Sequence, residues 1–177
     1  MVEIVQKENS VLRKKSSEVP ILDIKKPKIQ KIIKDMNEAL DSQYDGVAIA
    51  APQIGISLRI FVVSGKVFDE DFINGRNSIK NNTKKHPNLV FINPVFKKIS
   101  KDKKLMTEGC LSVRPLYGKV RRATRATIEA HDENGKKFIK EGSGLLAHIF
   151  QHETDHLEGI LFIDKAKDLR EESLYNG

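Results

Sequence analysis

The chain of 177 residues contains one cysteine, Cys110, so a disulfide within the chain is excluded. It also lacks any apolar run near the ~20 residues that a helix needs to cross a bilayer. Its first seven residues do not form the long apolar stretch of a signal peptide. We therefore expect a cytoplasmic protein without membrane contact, in which Cys110 is a buried apolar residue, a nucleophile or a metal ligand.

Aromatic residues make up only 6% of the sequence and are not interleaved with the lysines, as they are in proteins that bind single-stranded nucleic acids. The net charge of +7 suits an anionic neighbour such as RNA. The lysines are nevertheless spread along the chain. This distribution favours a solvated basic surface over a specific nucleic-acid partner.

Length and composition predict one domain over residues 1–177, because 39% hydrophobic and 31% charged residues are typical of globular proteins. Apolar residues at helical spacing predict a helix that begins at Pro27. A second helix is predicted late in the chain, with Ser143 as its N-cap and Gly159 just past its C-terminus.

The other apolar runs are short, and we expect them to form strands. They comprise residues 4–5, 58–63, 89–96 with an interruption at Pro94, 119–130, 136–139 and 160–163. Residues 65–88 predict a long surface loop, and residues 165–177 a short surface helix or a frayed end. The predicted fold class is α+β, with mostly antiparallel short sheets packed around the helix in the C-terminal half.

That late helix carries the pattern His-Glu-x-x-His within residues 151–156. Residues four apart lie on the same helix face, so His152 and His156 can both reach one metal ion. Glu153 follows the first ligand, where it can act as a general base toward water. An ordinary solvated face is the alternative. The helix is apolar over much of its circumference, however, which favours a buried metal site.

A catalytic site with two histidines needs a third protein ligand and one open position. Cys110, in the stretch Thr-Glu-Gly-Cys-Leu-Ser, is the obvious donor. His148 is a rival, but three ligands from one straight helix would span about 12 Å along its axis, too far for a single ion. We expect His148 to line the cleft one turn away, together with Leu145 and Ile149.

A third motif is the run of small and apolar residues 46–53, Gly-Val-Ala-Ile-Ala-Ala-Pro-Gln. Such a run either allows a ligand or another backbone to approach closely, or forms a buried strand packed on a helix. Gln53 favours the first interpretation, since a buried side-chain amide needs a hydrogen-bond partner.

Together these motifs resemble those of the peptide deformylases, which are Gly-φ-Gly-φ-Ala-Ala-Pro-Gln, Glu-Gly-Cys-φ-Ser and Gln-His-Glu-x-Asp-His. They stand here at residues 46–53, 108–112 and 151–156, in the same order, and the resemblance covers nearly the whole chain. Two residues depart from the pattern. Ala48 stands where the second glycine usually is, and His148 stands where the family more often has an apolar residue on the wall of the methionine pocket.

The resemblance implies a hydrolase that removes the formyl group from N-formylmethionyl peptides of nascent proteins and releases formate. It implies Cys110, His152 and His156 as ligands of one divalent metal ion. By resemblance that ion is Fe²⁺, while the spacing alone equally allows Zn²⁺, Ni²⁺ or Co²⁺. We also expect a monomer, whose basic surface helps to keep it near ribosomes.

The resemblance further implies the residues that act on the substrate. Glu153 serves as general acid and base, and the Gln53 amide and the Leu111 N–H stabilise the oxyanion. The extended peptide pairs as an added strand with the backbone, and its first side chain enters a pocket. The substrate-binding residues implied are Gly46, Val47, Ala48, Gly109, Leu145, His148 and Ile149.

Two other functions share part of this pattern. A zinc peptidase has the same helix, but it usually takes its third ligand from downstream, where Glu158 is too close in sequence and no histidine follows His156. A basic ribosome- or RNA-bound factor with a structural metal would need a fourth protein ligand, and the sequence offers none.

Overall fold

The computed structural model describes residues 2–69, 72 and 86–171. Its long helices are α1 (Pro27–Asp41) and α2 (Gly144–Leu157). The strands are β1 (Ala48–Ala50), β2 (Ile60–Val63), β3 (Leu89–Ile99), β4 (Lys103–Gly109), β5 (Leu116–Ala123), β6 (Arg125–His131), β7 (Lys137–Ser143) and β8 (Lys167–Glu171).

The strands form two antiparallel sheets. The larger sheet has the order β1-β2-β3-β6-β7, and the smaller one has the order β4-β5-β8. This arrangement confirms the predicted α+β class with antiparallel pairing.

Alternation along the central strands divides the larger sheet into two apolar faces. Ile60 and Val62 of β2 point into a core with α1, whereas the intervening Phe61 and Val63 point into a core with α2. The α2 side is built around aromatic contacts. Phe61 stacks on Phe91 with ring centroids 4.6 Å apart, and Phe150 of α2 lies 5.4 Å from Phe91. These rings fix α2 on the sheet.

A third apolar cluster lies beneath the smaller sheet and the end of α2. It contains Leu12, Val113, Val120, Leu161 and Phe162. Within the described ranges, no helix combines the length and the apolarity that crossing a bilayer requires.

Both ends of α2 lie where the sequence predicts them. Ser143 occupies the N-cap position, although its hydroxyl makes no capping hydrogen bond. Gly159 has φ +75°, and a Cβ there would come within 2.7 Å of the Arg13 carbonyl oxygen, so only glycine fits. The Gly159 N–H donates to His156 O and the Ile160 N–H to Asp155 O, which closes the helix in a Schellman motif.

Three predicted strands are wrong. Residues 119–130 belong to β5 and β6, which lie in different sheets and are separated by Thr124. Residues 160–163 do not pair. Leu161 and Phe162 instead pack into the third cluster, and a 3₁₀ turn follows at Phe162–Asp164. Residues 4–5 form no strand, and the Val5 N–H bonds the carbonyl of Gln53.

Two further expectations need correction. β3 runs through Pro94 instead of being interrupted there, with a register shift beside Asn93 that absorbs the missing N–H. The segment predicted as a surface helix or frayed end contains β8, which pairs with β5. Residues 172–177 of that segment, and residues 70–71 and 73–85 of the predicted loop, lie outside the described residues.

Candidate metal centre

The two histidines of α2 and the cysteine that follows β4 come together. Cys110, His152 and His156 each present a ligand atom within 4.8 Å of the others. Cys110 Sγ lies 3.3 Å from His156 Nε2. The helix supplies both imidazoles from one face, and the end of β4 brings the sulfur from 46 residues away in sequence. These three side chains therefore form a candidate metal centre.

The protonation states of this cluster suit a cation. Burial lowers the pKa of His156 well below its usual value, so its imidazole is neutral and its lone pair is available. Burial also raises the pKa of the Cys110 thiol to about 12, although the Ser112 N–H works in the opposite direction. A buried thiolate needs a positive partner, and a divalent ion between these three groups supplies one. The residues present thus fit a metal ion.

Glu108 is the hub behind the cluster, with its carboxylate fully buried. Glu108 Oε2 lies 2.8 Å from His152 Nδ1, which leaves Nε2 of that ring for a metal. Arg122 binds the same carboxylate through Nε at 2.6 Å and Nη2 at 3.0 Å. Burial alone would raise the pKa of Glu108, but its contacts with His148, His152 and Arg122 prevail and hold that pKa well below the usual range.

The network continues to the smaller sheet and fixes α2 against it. Arg122 Nη1 donates to Asp155 Oδ2 over 2.6 Å, and Lys165 Nζ lies 2.7 Å from Asp155 Oδ1. Gln151 pairs with the backbone of Ala123 at the end of β5, accepting from its N–H and donating to its carbonyl. The spacing of the candidate ligands therefore depends on contacts between β5 and α2 as well as on the helix itself.

Glu153 is buried between the ligands, with 4% of its surface exposed. Its Oε2 has no hydrogen-bond partner among the described residues. Burial first, and the Glu108 charge second, raise the pKa of Glu153 to about 8. A carboxyl group held in this state can both accept and return a proton near neutral pH.

Two hydrogen-bond donors face the same region. Gln53 Nε2 lies 3.2 Å from Ser112 Oγ and 3.5 Å from Cys110 Sγ, while its Oε1 accepts from the Ala50 N–H. The Leu111 N–H makes no hydrogen bond among the described residues. Its carbonyl accepts from Gln6 Nε2 at 3.2 Å. The Leu111 N–H is therefore available to an oxyanion beside the cluster, whereas Gln53 Nε2 already donates to Ser112 and Cys110 in the same region.

A cavity of about 350 Å³ opens onto the cluster. It is lined by every predicted site residue except His156, which lies behind it with 1% of its surface exposed. The predicted residues in the lining are Gly46, Val47, Ala48, Gln53, Gly109, Cys110, Leu111, Leu145, His148, Ile149, His152 and Glu153.

Sequence reasoning missed several residues of the cavity wall. Glu108 belongs to a motif, but nothing in its spacing reveals that Arg122 lies against it. Arg114 and Asp45 form an ion pair of 2.5 Å at the rim, which joins two loops distant in sequence. Tyr117 packs over Gly109, where a Cβ would come within 2.5 Å of its ring.

The structure also bears on the alternative ligands. Glu158 binds Arg59 through Oε1 at 2.6 Å and lies 3.2 Å from Lys15 through Oε2, away from the cluster. His148 lines the cavity one turn before His152, and its Nε2 lies 2.8 Å from Glu108 Oε1. Ala48 keeps regular pairing with Val63 at the edge of the larger sheet.

The sequence and the structure were compared with known proteins. A sequence model of the family described as Polypeptide deformylase matches residues 1–172. A peptide deformylase of Desulfitobacterium hafniense is 41% identical over 168 residues, which cover 93% of this chain and 94% of the relative. Peptide deformylase 2 of Clostridium acetobutylicum is 39% identical over 157 residues, covering 89% of each chain.

Solved structures give the same result. The crystal structure of a peptide deformylase from Legionella pneumophila superposes with a TM-score of 0.77 at 35% identity. The match covers 95% of this chain and 87% of that one.

Proposed function

The chain belongs to the peptide deformylase family, and from that premise we propose which of its residues carry out the reaction. Members of the family are metal-dependent hydrolases that remove the N-formyl group from nascent peptides. The observation that carries the assignment is the convergence of Cys110, His152 and His156 beside Glu153 and Gln53 in one cavity.

Cys110, His152 and His156 hold the metal, with Glu108 orienting His152 from behind. A divalent ion bound by these residues would supply Lewis-acid chemistry, which makes water a nucleophile near neutral pH. Among the described residues, no fourth His, Cys, Asp or Glu joins the group of Cys110, His152 and His156. Three protein ligands are typical of a catalytic rather than a structural metal centre.

Glu153 moves the protons. Its buried carboxylate takes a proton from the attacking water and later delivers it to the nitrogen of the leaving amine. The pKa of Glu153 is about 8 without a cation, and a positive charge nearby lowers that pKa toward neutral pH. The products are formate and a free amino terminus.

Gln53 and Leu111 stabilise the oxygen of the formyl group as it becomes anionic. The Gln53 amide is held in place by the Ala50 N–H, and its Nε2 donates to the oxyanion in exchange for its bond to Ser112 Oγ. The Leu111 N–H is the second donor. Rigid donors of this kind favour the transition state over the ground state.

The substrate lies as an added strand between two sheet edges. Among the described residues, β1 and β4 are both edge strands, and Ala48 and Gly109 on them line the cavity. The methionine side chain enters the cavity between Val47, Leu145 and Ile149. The methyl group of Ala48 narrows this cleft compared with a glycine.

Several finer features belong to the same proposal. The native ion is Fe²⁺, because a thiolate and two imidazoles suit a soft-to-borderline divalent metal and the family resemblance favours iron. The protein is a cytoplasmic monomer with one catalytic domain. Its net charge of +7 holds it near ribosomes, and equal sedimentation with ribosomes at low and high salt would contradict this.

The decisive experiment measures formate released from formyl-Met-Ala-Ser by protein purified without oxygen and loaded with Fe²⁺, Ni²⁺ or Zn²⁺. Acetyl-Met-Ala-Ser serves as the matched control substrate. We expect formate from the first peptide and no acetate from the second. Metal-loaded protein that leaves the formyl peptide intact would rule out the assignment.

A further inference from the structure

His148 has two environments at once. It lies on α2 one turn before His152 and forms part of the cavity wall, and only 8% of its surface is exposed. Both ring nitrogens are shielded from solvent, and neither makes a hydrogen bond of normal geometry with a described residue. His148 Nε2 nevertheless lies 2.8 Å from Glu108 Oε1, which is an ion-pair distance.

Glu108 connects this ring to the metal centre. Its other oxygen lies 2.8 Å from His152 Nδ1, so the two imidazoles contact the two oxygens of one carboxylate. Arg122 holds that carboxylate in place from the opposite side. A partner of this kind fixes the orientation of a metal-ligating histidine and increases its basicity.

We propose that His148 is a positioning residue, which acts through Glu108 on the metal ligand His152 and links the substrate pocket to the metal centre. The inference rests on the proposed function for the identity of the pocket, but not for the metal ligands. An apolar residue at this position would fill the wall and leave one oxygen of Glu108 with Arg122 alone. The carboxylate and the His152 ring would then have more freedom to rotate.

A different interpretation is a second metal site, since Glu108, His148 and His152 also present ligand atoms within 4.8 Å of one another. The Arg122 guanidinium opposes it. It already occupies both oxygens of Glu108 at 2.6 and 3.0 Å, and its positive charge lies where a second cation would have to bind. We therefore expect one metal ion per chain.

The link predicts that the occupant of the pocket influences the metal centre. A methionine side chain packed on the His148 ring restricts that ring, and with it Glu108 and His152. A shorter first side chain leaves the ring free. For the wild-type protein, we therefore expect a lower kcat as well as a higher KM when the first residue of the substrate is alanine instead of methionine.

The test compares His148→Ile with His148→Gln, whose amide keeps a polar N–H group near Glu108. Metal affinity is measured by chelator competition with Zn²⁺, and the ligand field by visible absorption of the Co²⁺ form. We expect His148→Ile to bind Zn²⁺ about 10-fold more weakly or worse and to shift the Co²⁺ bands. His148→Gln should restore most of both. Thermal unfolding of the metal-free variants verifies that each one folds.

Ile149→Val is the matched control, because Ile149 lines the same cavity and its aliphatic side chain cannot form a polar pair with Glu108. Its Zn²⁺ affinity and Co²⁺ spectrum should match the wild type. Equal shifts in Ile149→Val and His148→Ile would overturn the proposal, as would an unchanged Co²⁺ spectrum in His148→Ile. If His148→Ile does not fold, the comparison between His148→Gln and His148→Asn, whose shorter amide falls short of Glu108, decides in the same way.

Binding of two ions per wild-type chain, with one lost in His148→Ile, would also overturn the proposal in favour of the second metal site. None of these metal-binding and spectroscopic measurements needs formate release. A wild-type protein that binds one metal ion but leaves formyl peptides intact would therefore reject the proposed function and leave the role of His148 standing.

Discussion

The two long helices have nearly the same length and pack on opposite faces of the same sheet, yet they bury different chemistry. The buried residues of α1 are all apolar: Ile29, Ile32, Ile33, Met36, Ala39 and Leu40. Helix α2 buries His148, Glu153 and His156 among its apolar residues. The first helix stabilises the sheet by removing apolar surface from water. The second helix buries polar groups in a region of low dielectric constant, where each polar group needs a hydrogen-bond or charged partner.

The difference shows how this fold separates stability from chemistry. Around α1, an apolar side chain of about the right volume satisfies the packing. Around α2, Glu108 and Arg122 hold the ring of the predicted ligand His152, and Asp155 ties the helix to Arg122. Substitutions on the α1 side should change the free energy of unfolding alone, whereas those on the α2 side should change metal affinity and turnover.

We expect the largest effect from a substitution of Glu153, at the centre of the α2 side. Glu153→Ala removes the proposed acid–base group, and turnover should fall by ~10²–10⁴-fold. The metal content should stay at the wild-type level, because Glu153 is not among the predicted ligands. Formate release and elemental analysis check the two parts. Glu158→Gln is the control near the same helix end, since Glu158 pairs with Arg59 outside the cavity. Full turnover in Glu153→Ala would exclude it as the base.

The second prediction removes the support behind the ligands. Arg122→Leu leaves the Glu108 carboxylate buried without its main partner, and breaking such a pair costs ~3–5 kcal/mol of folding free energy. Metal affinity should fall as well, because the His152 orientation depends on Glu108. Urea denaturation and chelator competition measure the two effects. Arg121→Leu, the exposed neighbour on β5, is the matched control. A folded Arg122→Leu protein with wild-type metal affinity would show that the network is dispensable.

The third prediction sharpens the contrast from the other side of the sheet. Met36 of α1 is fully buried in the apolar core, and Met36→Ala should cost ~2–5 kcal/mol of folding free energy. The metal affinity and the kcat of the folded fraction should be unchanged, since α1 contributes no side chain to the ligand network. Thermal unfolding and formate release are measured on the same preparation. A loss of metal affinity comparable to that of Arg122→Leu would mean that the two faces are not separable.

The same contrast explains what the sequence could predict. The spacing of apolar residues predicts α1 and α2, because this signal is local. The His-Glu-x-x-His spacing and the lone cysteine predict the cluster of Cys110, His152 and His156, because these residues are chemically rare. The Glu108–Arg122 pair depends on the register between β4 and β5, with the two residues 14 apart in sequence. No local pattern encodes that register.

The failed strand predictions have physical causes of the same kind. Alternation continues from β5 into β6, so the sequence alone does not reveal that the chain changes sheets at Thr124. The run 160–163 is apolar because Leu161 and Phe162 are buried in the third apolar cluster. Residues outside a strand can be buried in this way, so an apolar run alone does not identify a strand. Tertiary contacts therefore decide these elements.

The smallest predicted effect is the pH dependence of the metal-free protein, and it arises only on the α2 side. Burial raises the pKa of Glu153 from 4.5 to about 8, so the folded state holds a proton that the unfolded state releases above its own pKa. Stability from this group is therefore lost as pH rises toward 8. Burial lowers the pKa of His156 below 6.5, so its contribution is lost as pH falls below that value.

The Glu153 and His156 contributions oppose each other in acid, and of the two only Glu153 acts between pH ~6.5 and 8. The free energy of unfolding of the chelator-treated protein should thus fall by about 2 kcal/mol between pH 6.5 and 8, at about 1.4 kcal/mol per pH unit. Urea denaturation across this range measures the slope. In Glu153→Gln the slope should vanish, while Met36→Ala should keep it at lower stability, because α1 carries no buried titratable group. A slope that persists in Glu153→Gln would assign the proton to another residue.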